Sequence, residues 1–152
     1  MVELQKPVAG ISASLRGTES ILVVDDESVV RNVCTAVLTN AGYRIFSAEG
    51  GHLALQMIRA MPRPVHLALI DVRMPKMSGP NLIVELLDSV ASANQDMRFI
   101  LMSGYSDPDL GNLANRQIEY SFLRKPFTAS VLLEAVRREL DGVRRQAQGQ
   151  SV

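Results

Sequence analysis

The sequence predicts an α/β fold: a five-stranded parallel sheet covered by helices on both faces. Five short apolar runs recur along the chain, at residues 21–24 (ILVV), 44–48 (RIFSA), 66–70 (HLALI), 98–102 (RFILM) and 120–123 (YSFL). Segments with helical apolar spacing separate them, and that alternation specifies parallel strands joined by crossovers. The first, third and fourth runs are apolar at nearly every position, as central parallel strands buried on both faces should be.

Each element has its own local reason. After the first strand, Val30, Val33, Val37 and Ala41 line one helical face, and Gly42 supplies the stop. The second strand leads to a helix with a stripe of Leu53, Met57, Ile58 and Met61, closed by Pro62. The third leads to Leu82, Ile83, Leu86, Leu87 and Val90 at helical spacing. After the fourth strand, residues 108–116 hold Gly111, two Asn and few apolar anchors, so the least stable helix is expected there. The last helix carries Leu132, Ala135, Val136, Leu140 and Val143 behind Thr128 as N-cap. A single domain over 19–143 follows, with polar, mobile flanks at 1–18 and 144–152.

Composition narrows the function classes. With 152 residues, 47% of them apolar, the chain can bury one sizeable core. A net charge of zero gives no global attraction to nucleic acid or to an anionic membrane. The apolar runs are far too short to span a bilayer, and the N-terminus lacks the continuous apolar core of a signal peptide. One cysteine, Cys34, excludes an internal disulfide and suits a reducing compartment, so a cytoplasmic location is expected. Cys34 itself reads as a small apolar helix residue.

In open parallel sheets, sites form beyond the carboxyl ends of the strands. The first strand is followed by Asp25-Asp26, the third by Asp71, the fourth by Ser103-Gly104 and the fifth by Lys125-Pro126. Singly these are ordinary. The Asp25–Ser28 stretch could cap a helix, Asp71 could start a turn, and Lys125 could be solvated. Together they put three carboxylates, a hydroxyl and an ammonium at one edge. Close carboxylates repel by about 4 kcal/mol per pair at an effective dielectric of about 20. Such a cluster raises its pKa values or takes up a cation, and oxygen-only ligands favour Mg²⁺ over Zn²⁺. The lysine and hydroxyl suit a phosphoryl group, and the Asp71 carboxylate can be a nucleophile that forms an acyl phosphate.

The motifs VVDDE, LIDVRMPKMSG, ILMSGY and FLRKPF, in this order, resemble the receiver domain of bacterial two-component response regulators over residues 20–140. The resemblance implies a flavodoxin-like (β/α)5 fold with strand order 2-1-3-4-5. It implies that Asp71 accepts phosphate from a histidine kinase or a histidine phosphotransfer protein. Asp26, Asp71 and the backbone carbonyl of Arg73 would bind Mg²⁺, with Asp25 acting largely through water. Ser103 would bond the phosphoryl oxygens and Lys125 would pair with them. Ser103 and Phe122 would form the switch, and the Lys125-Pro126 bond would be cis. Phe122 stands where Tyr is common and Ser103 where Thr is common. Arg73 and Tyr105 would flank the path of a hydrolysing water. The output would be a contact with an unknown protein, or the chain would be one part of something larger, and a phosphorylation-dependent dimer stays open. GTESILVVDDE and ILMSGYSD are especially similar to receivers of hybrid histidine kinases.

Other classes fit less well. A haloacid-dehalogenase-type phosphatase places a second Asp two residues after its nucleophile, where this chain has Arg73. A Rossmann or P-loop domain needs a glycine-rich turn after strand one, and VVDDES has none. An inert interaction module would leave the acidic edge unused. His52 and His66 read as surface or edge residues. The arginines at 137, 138, 144 and 145 read as a solvated helix face.

Overall fold

The computed structural model describes residues 11–89, 96–105 and 108–150, without the side chains of 89 and 143–150. Five parallel strands, β1 (Ser20–Val24), β2 (Arg44–Ala48), β3 (Leu67–Asp71), β4 (Arg98–Ser103) and β5 (Ser121–Arg124), form one sheet. Their order is β2-β1-β3-β4-β5. The helices are α1 (Ser28–Asn40), α2 (Gly51–Ala60), α3 (Gly79–Ser89) and α4 (Ala129–Gln150).

Strand alternation divides the core in two. Leu22, Val24, Ala68, Ile70, Phe99 and Leu101 meet α2 and α3 on one face. Ile21, Val23, Leu67, Leu69, Ile100 and Met102 meet α1 and α4 on the other. β1, β3 and β4 are thus buried on both faces, which is why their runs are apolar at nearly every position. The edge strands β2 and β5 keep exposed residues.

Several details differ from the sequence expectation. Residues Gly111–Asn115 form a 3-10 turn, not an α-helix. Gly111 has φ 51°, outside the helical region, and Leu113 is the turn's one buried anchor. On α1 the buried residues are Cys34 and Leu38, whereas Val33 is 50% exposed. Neighbouring helix positions lie about 100° apart, and Cys34 and Leu38 are as apolar as the valines, so periodicity admitted either face. Leu53 on α2 and Leu87 on α3 are exposed for the same reason, Ala54 and Leu55 being buried on α2. Val90 lies outside the described residues, as does the side chain of Val143. Helix α4 continues through the segment read as a tail to Gln150.

Arg137 is not solvated: it pairs with Glu19 at 2.7 Å and Asp141 at 3.0 Å and donates to the Tyr43 hydroxyl. Its bond to the Arg16 carbonyl ties a 3-10 turn at Ala13–Leu15 to α4. Thr128 caps α4 as expected, its hydroxyl accepting the Val131 amide at 3.2 Å. Gly42, at φ 105°, ends α1 in the left-handed conformation open to glycine. Among the described residues, no helix is long and apolar enough to cross a membrane.

Candidate phosphoacceptor site

Sheet register brings the polar strand ends together. Asp71 stands opposite Met102 and Ser103 opposite Arg124, so the third, fourth and fifth strands finish within one residue of each other. The ladder continues past the strands: Asp25 N–H donates to the Ala48 carbonyl and Lys125 N–H to the Ser103 carbonyl. Asp25, Asp26 and Asp71 each offer an oxygen within 4.8 Å of the others.

Their environments differ. Asp25 is fully buried; its Oδ1 accepts the Glu27 amide at 2.9 Å and its Oδ2 accepts Lys125 Nζ at 2.7 Å. Helix capping does not explain the acidic run, because the N-cap position is Glu27 and its side chain caps nothing. Asp26 is exposed. Asp71, 7% exposed, accepts Lys125 Nζ at 3.2 Å. Burial and then the Asp25 charge push the Asp71 carboxyl up to about 6, although Lys125 pulls the other way. Burial disfavours the Lys125 charge, but its bonds to Asp25 and Asp71 outweigh that and raise its pKa. The ammonium occupies carboxylate oxygens that a metal cation would otherwise share. All the donors are hard oxygens, so the set fits Mg²⁺.

The loop after Asp71 folds back at once. Gly79 N–H returns to the Val72 carbonyl at 2.9 Å, and a Cβ on Gly79 would run into the Asp71 carbonyl. Between them Lys76 sits at φ 70°, bracketed by a Met77 N–H to Pro75 C=O bond of 2.7 Å. That is a γ-turn, strained for a residue with a Cβ, and it is how the chain leaves the carboxylate clear.

Around the carboxylates lies a cleft of about 350 Å³, lined also by Arg73, Ser103, Tyr105 and Lys125. The Ser103 hydroxyl faces the Tyr105 backbone, donating to its carbonyl and accepting its amide, both at 3.0 Å. The Arg73 guanidinium stacks over the Tyr105 ring at 4.0 Å, a cation–π contact across the mouth. Phe122 is 49% exposed, edge-to-face with Tyr120. Lys125-Pro126 is cis. His52 and His66 are exposed, His66 Nδ1 accepting the Ser20 amide at 3.0 Å. Neither lines the cleft.

Sequence reasoning missed one neighbour, Arg31. It donates Nη1 to the Asp25 carbonyl at 2.6 Å. Its place in the first turns of α1 lets a long side chain reach back, a signal too weak to read without the fold.

Comparison with known proteins agrees with this geometry. The family model described as the response regulator receiver domain matches residues 21–137. Sensor kinase CckA of Brucella abortus (strain 2308) is 31% identical over 86% of this chain, which spans only 13% of that protein. Sporulation initiation phosphotransferase F of Bacillus subtilis (strain 168) is 30% identical over 80% of this chain and 94% of its own length. Among solved structures, a CheY-like response regulator receiver domain protein from Methanospirillum hungatei JF-1 superposes with a TM-score of 0.70. It is 26% identical and covers 84% of this chain and 98% of its own. The chain therefore belongs to the response regulator receiver domain family and is a receiver domain of two-component signal transduction.

Proposed function

We propose that Asp71 is the phosphoacceptor, charged by a histidine kinase or a histidine phosphotransfer protein. The observation that carries this is a carboxylate at a strand end, set between two further carboxylates and a lysine in an open cleft. With a carboxyl titrating at about 6, Asp71 is mostly ionised at pH 7 and ready as a nucleophile. One Asp71 oxygen attacks phosphorus while the phosphorus–nitrogen bond to the donor imidazole breaks. The electron pair stays with the imidazole nitrogen, and an acyl phosphate is left on Asp71.

Asp25, Asp26, Asp71 and the Arg73 carbonyl would hold Mg²⁺, which supplies charge neutralisation of the phosphoryl oxygens. Lys125 exchanges its carboxylate partners for a phosphoryl oxygen. The Ser103 hydroxyl gives up the Tyr105 carbonyl to donate to another, which pulls on the loop after β4 and lets Phe122 turn inward. The exposed Phe122 ring and the lightly anchored 3-10 turn thus form the face that reports the modification to an output protein. The domain acts as a signalling module that assists its own phosphorylation and dephosphorylation; the 13% of the Brucella sensor kinase and the 94% of the Bacillus phosphotransferase that this chain spans suit either a place within a longer kinase or a stand-alone setting.

The test is incubation with acetyl phosphate and Mg²⁺, followed by mapping of the added mass. Label on Asp71 that disappears with EDTA or in Asp71→Asn supports the reading. Undiminished label in Asp71→Asn, or label on His52, overturns it.

A further inference from the structure

We propose that Arg31 is a positioning residue for the metal-binding half of the site, acting through the Asp25–Asp26 peptide. The inference rests on the phosphoacceptor reading and extends it to a side chain outside the cleft. Asp25 is held at every polar group. Its amide goes to Ala48, its two carboxylate oxygens take Glu27 N–H and Lys125 Nζ, and its carbonyl takes Arg31 at 2.6 Å. Asp26 has no such hold: among the described residues its carboxylate accepts no hydrogen bond, and the side chain is exposed.

What orients Asp26 is therefore its backbone. The Asp25 carbonyl and the Asp26 amide share one rigid peptide plane. Fixing that oxygen fixes where the Asp26 Cα leaves the strand end, and so restricts the positions its carboxylate can reach. The carbonyl is also the one hydrogen-bond acceptor of the Arg31 guanidinium among the described residues. Arg31 places a positive charge beside the acidic pair without occupying a carboxylate oxygen. Lys125 differs, because it takes oxygens from both Asp25 and Asp71.

The two consequences of losing Arg31 have opposite signs, which makes the test decisive. If the side chain mattered only as a nearby charge, Arg31→Gln would bind Mg²⁺ more tightly, since a repelling cation is gone. If it positions Asp26, affinity falls despite the lost repulsion. Mg²⁺ binding is measured by calorimetry on wild type, Arg31→Gln and Arg31→Lys, with folding checked by circular dichroism. In parallel, hydrogen exchange of the Asp26 and Glu27 amides is followed in the metal-free proteins.

The expected result is a Mg²⁺ affinity at least tenfold lower in Arg31→Gln, with faster exchange at both amides. Arg31→Lys, which keeps the charge but not the planar fork, falls between. Unchanged or tighter binding by folded Arg31→Gln overturns the proposal. If Arg31→Gln does not fold, Arg31→Lys decides: wild-type affinity overturns the proposal and a loss of threefold or more supports it. Acetyl phosphate labelling of wild type separates the two readings. Without label at Asp71 the phosphoacceptor reading fails; with label there and unchanged Mg²⁺ binding in the variants, only the role of Arg31 fails.

Discussion

Replacing Asp71 by Asn should stabilise the metal-free protein at neutral pH, and the gain should vanish in acid. The Asp71 carboxyl titrates at about 6 in place of an ordinary 3.8, because it is buried next to Asp25. A raised carboxyl pKa means the folded state binds the proton more tightly than the unfolded chain does. Stability from this group is therefore full below 3.8, falls as pH rises through the window to 6, and is lost above it. The rise from 3.8 to about 6 corresponds to about 3 kcal/mol. Asn resembles the protonated acid, so it escapes that cost. Lys125 does not disturb the window, since its own raised pKa matters only in strong alkali. Urea unfolding in EDTA, followed by circular dichroism across the window, gives the difference between the two proteins at each pH and cancels all other titrations. The midpoints should separate by about 1.5 M at pH 7.5, for an m-value of about 2 kcal/mol per M, and converge toward pH 4. A gap that does not change with pH would refute the reasoning, as would a less stable Asn variant at pH 7.5.

Three further outcomes follow from the same geometry. Asp26→Ala should lose Mg²⁺ affinity while Lys125→Ala keeps or gains it, because the lysine competes for Asp25 and Asp71 oxygens; calorimetry that finds equal losses contradicts this. Arg73→Ala and Tyr105→Ala should each speed loss of the Asp71 phosphoryl group about tenfold, the equivalent of ~1.4 kcal/mol, if their stack shields the in-line water. The double variant should be no faster than either single one, since both remove one contact; identical decay in all four proteins rules the shield out. Gly79→Ala should lower stability by roughly 1–3 kcal/mol in urea unfolding, because the new methyl group meets the Asp71 carbonyl and the loop must shift.

The amino-acid pattern alone determined the strand–helix alternation, the three central strands and the four polar strand ends. Those follow from short-range physics: a strand buried on both faces cannot carry polar residues along its length, so the polar residue after its apolar run marks its carboxyl end. The ordered motifs then supplied the strand order, which periodicity could not. Which face each helix buries was decided by tertiary packing. Val33 and Cys34 are equally acceptable inside, and only the docking of α1 beside α4 selects Cys34 and Leu38. Packing likewise half-buried Arg137, because Glu19, Tyr43 and the Arg16 carbonyl arrive from distant parts of the chain to satisfy it. The site divides in the same way. That Asp25, Asp26, Asp71, Ser103 and Lys125 would share an edge was legible in sequence. That Lys125 bridges two carboxylates, that Ser103 turns to the Tyr105 backbone and that Arg31 holds a peptide plane are matters of distances between side chains, and local sequence holds no such information.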